Sequence, residues 1–416
     1  MLSQAQLLIT NSHELLTCAP RGRDPIGRVA DGAVAIAGEH ILAVGPTAEV
    51  LAQVDAASAQ VIDASGKIVA PGFADSHTHL VFGGSRAREY AARLTRTAQE
   101  VKALGIPTGI LATVEMTRSS NLQSLISNSL DRLQRMLAHG TTTVESKSGY
   151  GLTVADELKL LEVNRRLQTL QPVDIVSTFL GAHAFPPEMT RERYIELILQ
   201  EMIPQVAERQ LAEFCDVFCD DGYYTVDEAR RILEAGLAAG LKPKIHADQY
   251  SQIGGSAMAA ELGVVSADHL NYTERDSARR LAAAGAVGVV TPLLDFAVQH
   301  PRPFDARMMM EEGLTLALAT DLCPACWVES MFLVMQFACR QCRLSPEEAL
   351  LAATVGGAKA LGLSDRGTLA PGQLADIQIW DALSFEDVIY RLGHNPVETV
   401  IKRGKIVMNR GGLGLR

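Results

Sequence analysis

Four side chains in the sequence could together hold a metal ion. His77 and His79 form a His-Thr-His motif, and residues two apart in a strand point to the same face. His246 and Asp321 end two later apolar segments. Three imidazole nitrogens and one carboxylate suit Zn²⁺ or Fe²⁺ and leave a position for water. Because such an ion lowers the pKa of water, the set predicts hydrolytic chemistry.

Two further histidines occupy the same kind of position. His183 follows one apolar segment and His269 ends another. We expect both to lie near the metal ligands, although His183 could be a loop or helix-cap residue and His269 a satisfied core histidine. The other five histidines are predicted to be ordinary loop or helix residues: His13, His40, His139, His300 and His394.

The elements that must position these residues alternate regularly along the middle of the chain. Eight apolar segments that could be buried strands are separated by helical patterns between Ile68 and about Gly362. This alternation predicts a (β/α)₈ barrel of the TIM type, in which active sites lie at the carboxyl ends of the strands. The connection from Leu80 to Gly140 is long and predicts extra structure over the barrel mouth.

Both ends of the chain are rich in short Val- and Ile-containing segments punctuated by turn residues. We therefore predict that residues 1–66 and 364–416 form a composite small β domain, a β-sandwich. Residues 67–363 would form the metal-dependent catalytic barrel.

Composition excludes several classes of partner. The formal net charge of −10 argues against a nucleic-acid binder, which usually carries a basic face. The sequence contains neither a signal peptide nor an apolar stretch long enough to span a membrane, so we expect a cytoplasmic protein that binds no membrane.

The seven cysteines do not form the pattern of a secreted disulfide framework. Two Cys-x-x-Cys pairs, at 323–326 and 339–342, are spaced tolerably for a structural zinc ribbon. The second pair lies in an apolar helical segment, where cysteine often serves as a small apolar side chain. A zinc-binding interaction protein without enzymatic activity therefore remains an alternative hypothesis, which requires a second metal ion per chain.

The chain resembles the amidohydrolase superfamily and, within it, the imidazolonepropionase family. The His-Thr-His motif with a later His and Asp is common to the superfamily, whereas HLVFGGSR, ESKSGYG and GAHAFPPE are much narrower motifs. The resemblance is carried by PGFADSHTHLVFGGSR at 71–86, VESKSGYGL at 144–152, FLGAHAFPPE at 179–188, KIHADQ at 244–249, SADHL at 266–270, LALATD at 316–321 and GTLAPGQLADIQIW at 367–380.

This resemblance implies hydrolytic opening of 4-imidazolone-5-propanoate, a small anionic cyclic amide, to N-formimino-L-glutamate in histidine degradation. It also implies one Zn²⁺ or Fe³⁺ per chain, and a homodimer is expected for a barrel of this class. The implied metal ligands are His77, His79, His246 and Asp321. The implied catalytic residues are Asp321, His269 and Gln249, and the implied substrate-binding residues are Arg86, Tyr150, His183, Gln249, Cys323, Ala325 and Cys326.

For two of the residues implied on the substrate side, Arg86 and Gln249, the sequence leaves alternatives open. Arg86 can bind a carboxylate with two parallel donors, and Arg88 or Lys147 are the alternatives for this role. Gln249 stands where many relatives carry a catalytic glutamate; since an amide cannot shuttle protons, it orients the ring or Asp248 takes part.

The loop after Asp321 also departs from the family pattern. It reads Cys323-Pro324-Ala325-Cys326 where the family usually has Asn-Pro-Gly and a small hydroxyl residue. A related amidohydrolase or deaminase that acts on another cyclic amide or amidine therefore remains the alternative enzyme.

Overall fold

The computed structural model describes residues 2–411 and contains two eight-stranded sheets with one additional strand pair. In chain order the strands are β1 (Ser3–Gln4), β2 (Leu7–Leu16), β3 (Arg28–Ala37), β4 (His40–Pro46), β5 (Val54–Asp55), β6 (Gln60–Asp63), β7 (Ile68–Pro71), β8 (Phe73–Asp75), β9 (Thr141–Lys147), β10 (Asp174–Ala182), β11 (Phe214–Cys219), β12 (Lys242–Ala247), β13 (Ser266–His269), β14 (Val287–Val290), β15 (Thr315–Leu318), β16 (Ile377–Trp380), β17 (Val397–Lys402) and β18 (Lys405–Asn409).

Helices follow most of the strands in the middle of the chain. They are α1 (Thr47–Gln53), α2 (Ala87–Arg93), α3 (Ala98–Ala103), α4 (Gly109–Ser119), α5 (Leu122–Ala138), α6 (Val154–Leu170), α7 (Arg191–Leu197), α8 (Ile203–Glu208), α9 (Val226–Ala238), α10 (Gly255–Leu262), α11 (Arg275–Ala283), α12 (Pro292–Ala297), α13 (Ala306–Glu311), α14 (Met331–Gln341), α15 (Pro346–Leu351), α16 (Gly357–Ala360) and α17 (Phe385–Tyr390), with π-helical turns at Ile198–Met202 and Ala352–Gly356.

Strands β8 to β15 form the barrel, with every neighbouring pair parallel and in chain order. The predicted (β/α)₈ fold is confirmed, and each of the eight apolar segments supplies one barrel strand. The first segment is divided, because β7 pairs with β2 and β16 in the other sheet and only β8 belongs to the barrel. Helices α2, α3, α4 and α5 occupy the long connection between β8 and β9, as its length predicted.

Hydrogen bonds just beyond the strand ends join the first barrel strand to the last. The Asp321 amide donates to the His77 carbonyl at 3.0 Å, and the His79 amide donates to the Leu322 carbonyl at 2.9 Å. The Thr320 amide and hydroxyl both donate to the Asp75 carboxylate, at 3.0 and 2.6 Å. This seam holds the His-Thr-His segment against the segment that carries Asp321.

The second large sheet combines strands from both ends of the chain in the order β18-β17-β16-β7-β2-β3-β4, with β6 also paired to β2. The expectation that the two termini share one β structure is confirmed. The domain boundaries at 66/67 and 363/364 stay a prediction.

A buried ionic cluster joins this sheet to the barrel. Lys402 Nζ lies 2.8 Å from an Asp174 oxygen at the start of β10 and 2.6 Å from an Asp376 oxygen. Burial alone would raise the pKa of Asp174. Lys402 and Arg366 stabilise the carboxylate and lower this pKa to about 2. The terminal sheet is thereby attached at the opposite end of the barrel from the histidines. Within residues 2–411, no helix has both the length and the apolar character needed to cross a bilayer.

The seam gives a testable prediction about stability. We expect Thr320→Val to lower the free energy of unfolding by about 1–3 kcal/mol, because the buried Asp75 carboxylate loses a hydroxyl donor. The matched control is Thr141→Val in β9, since the buried Thr141 hydroxyl has no hydrogen-bond partner to lose. Urea denaturation followed by circular dichroism would measure both, and equal midpoints for the two variants would contradict the role of the seam.

Candidate functional site

All predicted site residues except His77 and Cys326 line one cavity of about 440 Å³ at the carboxyl ends of the barrel strands. His77 lies immediately behind the cavity wall and is fully buried. Those that line the cavity are His79, Arg86, Tyr150, His183, His246, Gln249, His269, Asp321, Cys323 and Ala325.

The four expected metal ligands face one another. Nε2 of His77 and Nε2 of His79 lie 3.7 and 3.8 Å from the same Asp321 oxygen. The rings of His77 and His246 are 4.6 Å apart, and Nε2 of each is buried without a hydrogen-bond partner. Converging buried nitrogens that lack hydrogen bonds are what a metal ion would satisfy, so the residues fit such an ion.

The other two histidines belong to the same cluster. Ligand atoms of His77, His246 and His269 lie within 4.8 Å of one another, as do those of His79, His183 and His246. Burial lowers the pKa of His77, His79 and His269 well below the usual value and lowers that of His183 to about 3. Neutral imidazoles result, which is the form that binds metals and accepts hydrogen bonds.

Two buried carboxylates lie behind His77 and His246, two of the expected metal ligands, on the side of each ring that faces away from the cavity. Nδ1 of His77 lies 2.7 Å from an Asp268 oxygen, and Nδ1 of His246 lies 3.0 Å from an Asp216 oxygen. A carboxylate at Nδ1 fixes the proton there and leaves the lone pair of Nε2 directed into the site.

Lys147 connects these carboxylates beneath the cavity. Its Nζ lies 2.6 Å from Asp216, 3.0 Å from Glu145 and 3.1 Å from Asp268, and all four side chains are fully buried. Lys244 pairs with the other Glu145 oxygen at 2.6 Å. Although burial opposes ionisation, Lys147 holds the pKa of Asp268 at about 2 and that of Asp216 lower still. Lys147 therefore supports the expected metal ligands, and the alternative that it holds the substrate is not supported.

Asp321 sits in a surrounding that suits proton transfer. Burial raises its pKa to about 7, and the neighbouring His246 and Lys147 act in the opposite direction. A bound cation would lower this pKa further, because it favours the charged carboxylate. Asp321 also has a φ of +48°, and Asp248 and His269 have φ values of +52° and +76°. Such left-handed conformations are costly without glycine and concentrate at functional sites.

Arg86 reaches the cavity from the start of α2 and is held by Glu89. Its Nε and Nη2 lie 2.6 and 3.0 Å from the two Glu89 oxygens, and Arg93 Nε donates to the same carboxylate at 2.8 Å. Arg88, the alternative residue for carboxylate binding, is exposed and does not line the cavity. The Glu89 pairing fixes the Arg86 guanidinium in the cavity wall.

The structure shows which of several adjacent candidate residues line the cavity. Gln249 lines the cavity. Asp248 does not line it and instead accepts a hydrogen bond of 2.7 Å from the Thr273 hydroxyl. Cys323 and Ala325 line the cavity, whereas the thiol of Cys326 lies against the Thr320 carbonyl at 3.9 Å. Cys326 lines a separate, more apolar cavity next to the first.

The zinc-ribbon hypothesis finds no support in the geometry. Among the described residues, no group of side chains positioned to hold a metal includes a cysteine. Cys323 and Cys326 instead close a tight turn through two backbone hydrogen bonds of 3.0 and 3.1 Å. Cys342 is buried at the end of α14, as expected for an apolar filler.

Four charged residues beneath the cavity were not among the predicted site residues: Glu145, Asp216, Lys244 and Asp268. Their only signal in the sequence is that each interrupts an apolar strand segment. A charge in a strand that is buried on both faces needs a partner, and four such charges in neighbouring strands indicate a network.

Comparisons with known proteins agree with this architecture. The amidohydrolase family profile matches residues 68–407. An adenosine deaminase structure from Xanthomonas campestris with bound zinc superposes with a TM-score of 0.75 at 18% identity, over 100% of this chain and 96% of that one. Atrazine chlorohydrolase from Arthrobacter aurescens, complexed with zinc, gives 0.75 at 17% identity, over 97% and 96%. The chain belongs to the amidohydrolase family.

Closer relatives narrow the assignment within that family. Imidazolonepropionase from Geobacillus thermodenitrificans is 46% identical over 97% of this chain and 98% of its own length. Imidazolonepropionase from Halobacterium salinarum is 41% identical over 99% of this chain and 100% of its own. The profile of the bacterial imidazolonepropionase-like composite domain also matches, at residues 32–53. Within the amidohydrolases, the chain is a member of the imidazolonepropionase family.

The ionic network beneath the site gives a second prediction. We expect Lys147→Met to lower the free energy of unfolding by about 3–5 kcal/mol, because three buried carboxylates lose their shared cation. Lys102→Met, at an exposed position of α3, is the control and should change it by less than about 0.5 kcal/mol. Chemical denaturation of both variants measures the difference, and a Lys147 variant as stable as the control would refute the assignment.

Proposed function

We propose that the protein hydrolyses the ring carbon–nitrogen bond of 4-imidazolone-5-propanoate and releases N-formimino-L-glutamate, a step of histidine degradation. The observation that carries this proposal is the convergence of His77, His79, His246 and Asp321 on the cavity that Arg86 also lines. Full-length similarity to imidazolonepropionases supports the same substrate.

We propose that His77, His79, His246 and Asp321 hold one metal ion per chain, Zn²⁺ or Fe³⁺. The support is the buried Nε2 atoms of His77 and His246, which lack other partners. When bound, the ion supplies hydroxide from water near neutral pH and polarises the ring carbonyl.

The residues around the proposed metal position would then transfer one proton from the attacking water to the leaving nitrogen. Asp321 accepts a proton from the attacking water while the oxygen of that water forms a bond to the ring carbonyl carbon. When the ring carbon–nitrogen bond breaks, the same carboxyl returns the proton to the leaving nitrogen. His269, whose Nδ1 lies 3.3 Å from the Thr291 hydroxyl, would hold the carbonyl oxygen or the water in place. No serine or cysteine nucleophile is required.

The substrate would be held from the opposite side of the cavity. Arg86 pairs with the propanoate carboxylate through its planar donors. Tyr150 contributes a hydroxyl that stays protonated, because burial raises its pKa well above the usual value. His183 and Gln249 bond to polar atoms of the ring.

The loop after Asp321 would complete the substrate pocket. Cys323 and Ala325 form part of the cavity wall. Cys326 contributes indirectly, by supporting the Thr320 backbone beside Asp321.

Two further properties complete the proposal. A homodimer is supported by the exposed aromatic side chains of Tyr90, Phe296 and Trp327, since exposed apolar patches commonly mark subunit interfaces. A cytoplasmic location is supported by seven cysteines that are all free, as expected in a reducing compartment.

The direct test incubates the purified, metal-loaded protein with freshly prepared imidazolone propanoate and follows loss of the ring's ultraviolet absorbance. We expect turnover, one metal ion per chain by elemental analysis, and a loss of activity of more than about a hundredfold in His246→Ala. His394→Ala, a histidine outside the cavity, is the control. Turnover of another cyclic amidine with immediate release of ammonia, and none of imidazolone propanoate, would show a deaminase instead.

Arg86 allows a sharper test of the substrate. We expect Arg86→Ala to lower kcat/KM by the equivalent of about 2–5 kcal/mol, because a charge-assisted pair with the propanoate is lost. Arg86→Lys should restore only part of it, since an ammonium lacks the second parallel donor. Arg88→Ala is the matched control on the same helix. If the alanine variant at position 86 kept its kcat/KM, the carboxylate would have to bind elsewhere.

A further inference from the structure

A buried carboxylate from helix α6 organises the loop that carries Tyr150. The loop comprises residues 148–152 and follows strand β9 directly. Glu157 stands in the first turn of α6, is fully buried and turns back over the helix start. It has no contact with the expected metal ligands, so its role is separate from the ionic network.

The loop donates its backbone amides to this one carboxylate. The Gly149 amide donates to one Glu157 oxygen at 2.9 Å, and the amides of Gly151 and Leu152 donate to the other at 2.7 and 2.8 Å. A carboxylate that accepts three buried amide donors compensates for its desolvation and fixes the path of the donor segment.

The backbone of the loop could not take this path unaided. Gly149 and Leu152 have φ values of +103° and +52°, in the left-handed region. A Cβ added at Gly149 would lie 2.9 Å from the His183 ring, and one at Gly151 would lie 2.5 Å from the Glu157 amide. A positive φ is unfavourable for leucine, whereas glycine adopts it without strain. The hydrogen bonds to Glu157 offset this strain and hold the loop in place.

Two side chains of the proposed substrate pocket depend on this loop. The Tyr150 ring is 5.3 Å from the rings of both His79 and His183. The Gly149 carbonyl lies 3.2 Å from Nδ1 of His183. Because a carbonyl only accepts, the His183 proton resides on Nδ1, and its Nε2 is left as a hydrogen-bond acceptor.

We infer that Glu157 is a positioning residue for substrate recognition: through the 148–152 loop it places the Tyr150 hydroxyl and fixes His183 as an acceptor for a ring N–H of the substrate. The inference rests on the proposed function for the identity of the substrate. It assigns the pocket one donor, Tyr150, and one acceptor, His183. The pocket would therefore discriminate against analogues whose ring lacks the N–H.

The test compares Glu157→Gln with Glu162→Gln, a partly exposed glutamate on the same helix that pairs with surface arginines. In Glu157→Gln, the new side-chain amide would face backbone N–H groups with a donor of its own. We expect the KM for imidazolone propanoate to rise by about tenfold or more, with kcat changed by less than about threefold. Metal content and metal affinity should stay those of the unsubstituted protein, and the control should keep both kinetic constants.

A second measurement reads the His183 tautomer directly. In protein labelled with ¹⁵N-histidine, the His183 signals, identified by their absence in His183→Gln, should show a protonated Nδ1 and an unprotonated Nε2. In Glu157→Gln this pattern should be lost or mixed, whereas Glu162→Gln should retain it. A role in stability alone would lower the unfolding midpoint without moving the tautomer or KM.

The outcomes separate this inference from the proposed function. If the unsubstituted protein does not open imidazolone propanoate, the proposed function fails, and the ¹⁵N spectra still decide the role of Glu157. If Glu157→Gln does not fold, Glu157→Asp keeps the charge with a shorter reach and should show the same changes to a smaller extent. An unchanged KM together with an unchanged His183 tautomer in a folded variant would overturn the inference.

Discussion

One ammonium group, Lys147 Nζ, lies at the centre of the barrel within 3.1 Å of oxygens from three carboxylates. Lys147, Asp216 and Asp268 come from β9, β11 and β13, so alternate strands contribute to one layer, as in barrels with apolar interiors. Here the layer is ionic, and each carboxylate needs the shared cation because water is excluded. Asp268 in turn forms a hydrogen bond with Nδ1 of His77, and Asp216 lies 3.0 Å from Nδ1 of His246. The direction of the Nε2 atoms of His77 and His246, which are expected to bind the metal ion, is thus determined by charge pairs located one layer below them.

The substrate side of the cavity is organised by the same physical means but with different partners. Glu157 gathers backbone amides rather than a lysine, and Glu89 holds the Arg86 guanidinium with both oxygens. In each case a buried carboxylate fixes a group that lines the cavity: Glu157 does so from outside the cavity, and Glu89 from within its wall. Preorganisation of this kind removes the cost of ordering the site when the substrate binds.

The barrel and the position of its histidines could be predicted because the sequence marks both: the strands as apolar segments that alternate with helical patterns, and the histidines at the ends of those segments. Strands buried on both faces appear as continuous apolar segments, and the position of a histidine at the end of such a segment places it at the barrel mouth. The side-chain partners could not be predicted in this way. Lys147 and Asp268 are 121 residues apart by number and meet only through the barrel closure, and nothing local in SADHL indicates that Asp268 supports His77. The conformation of the loop after Asp321, which turns Cys326 away from the cavity, likewise depends on a tertiary contact with Thr320.

The seam between the first and last barrel strands has a consequence for the order of events during synthesis. Asp75 and Thr320 are 245 residues apart in sequence, yet their hydrogen bonds join the two strands that present His77 and Asp321. A nascent chain that has emerged only as far as β13 carries the three histidines of the expected metal set, but it lacks both Asp321 and the closing strand β15. Closing so large a loop is entropically costly and comes late in folding. The four side chains that are expected to hold the metal ion therefore come together only when nearly the whole barrel sequence has left the ribosome, so that metal binding by this set would follow construction of the barrel.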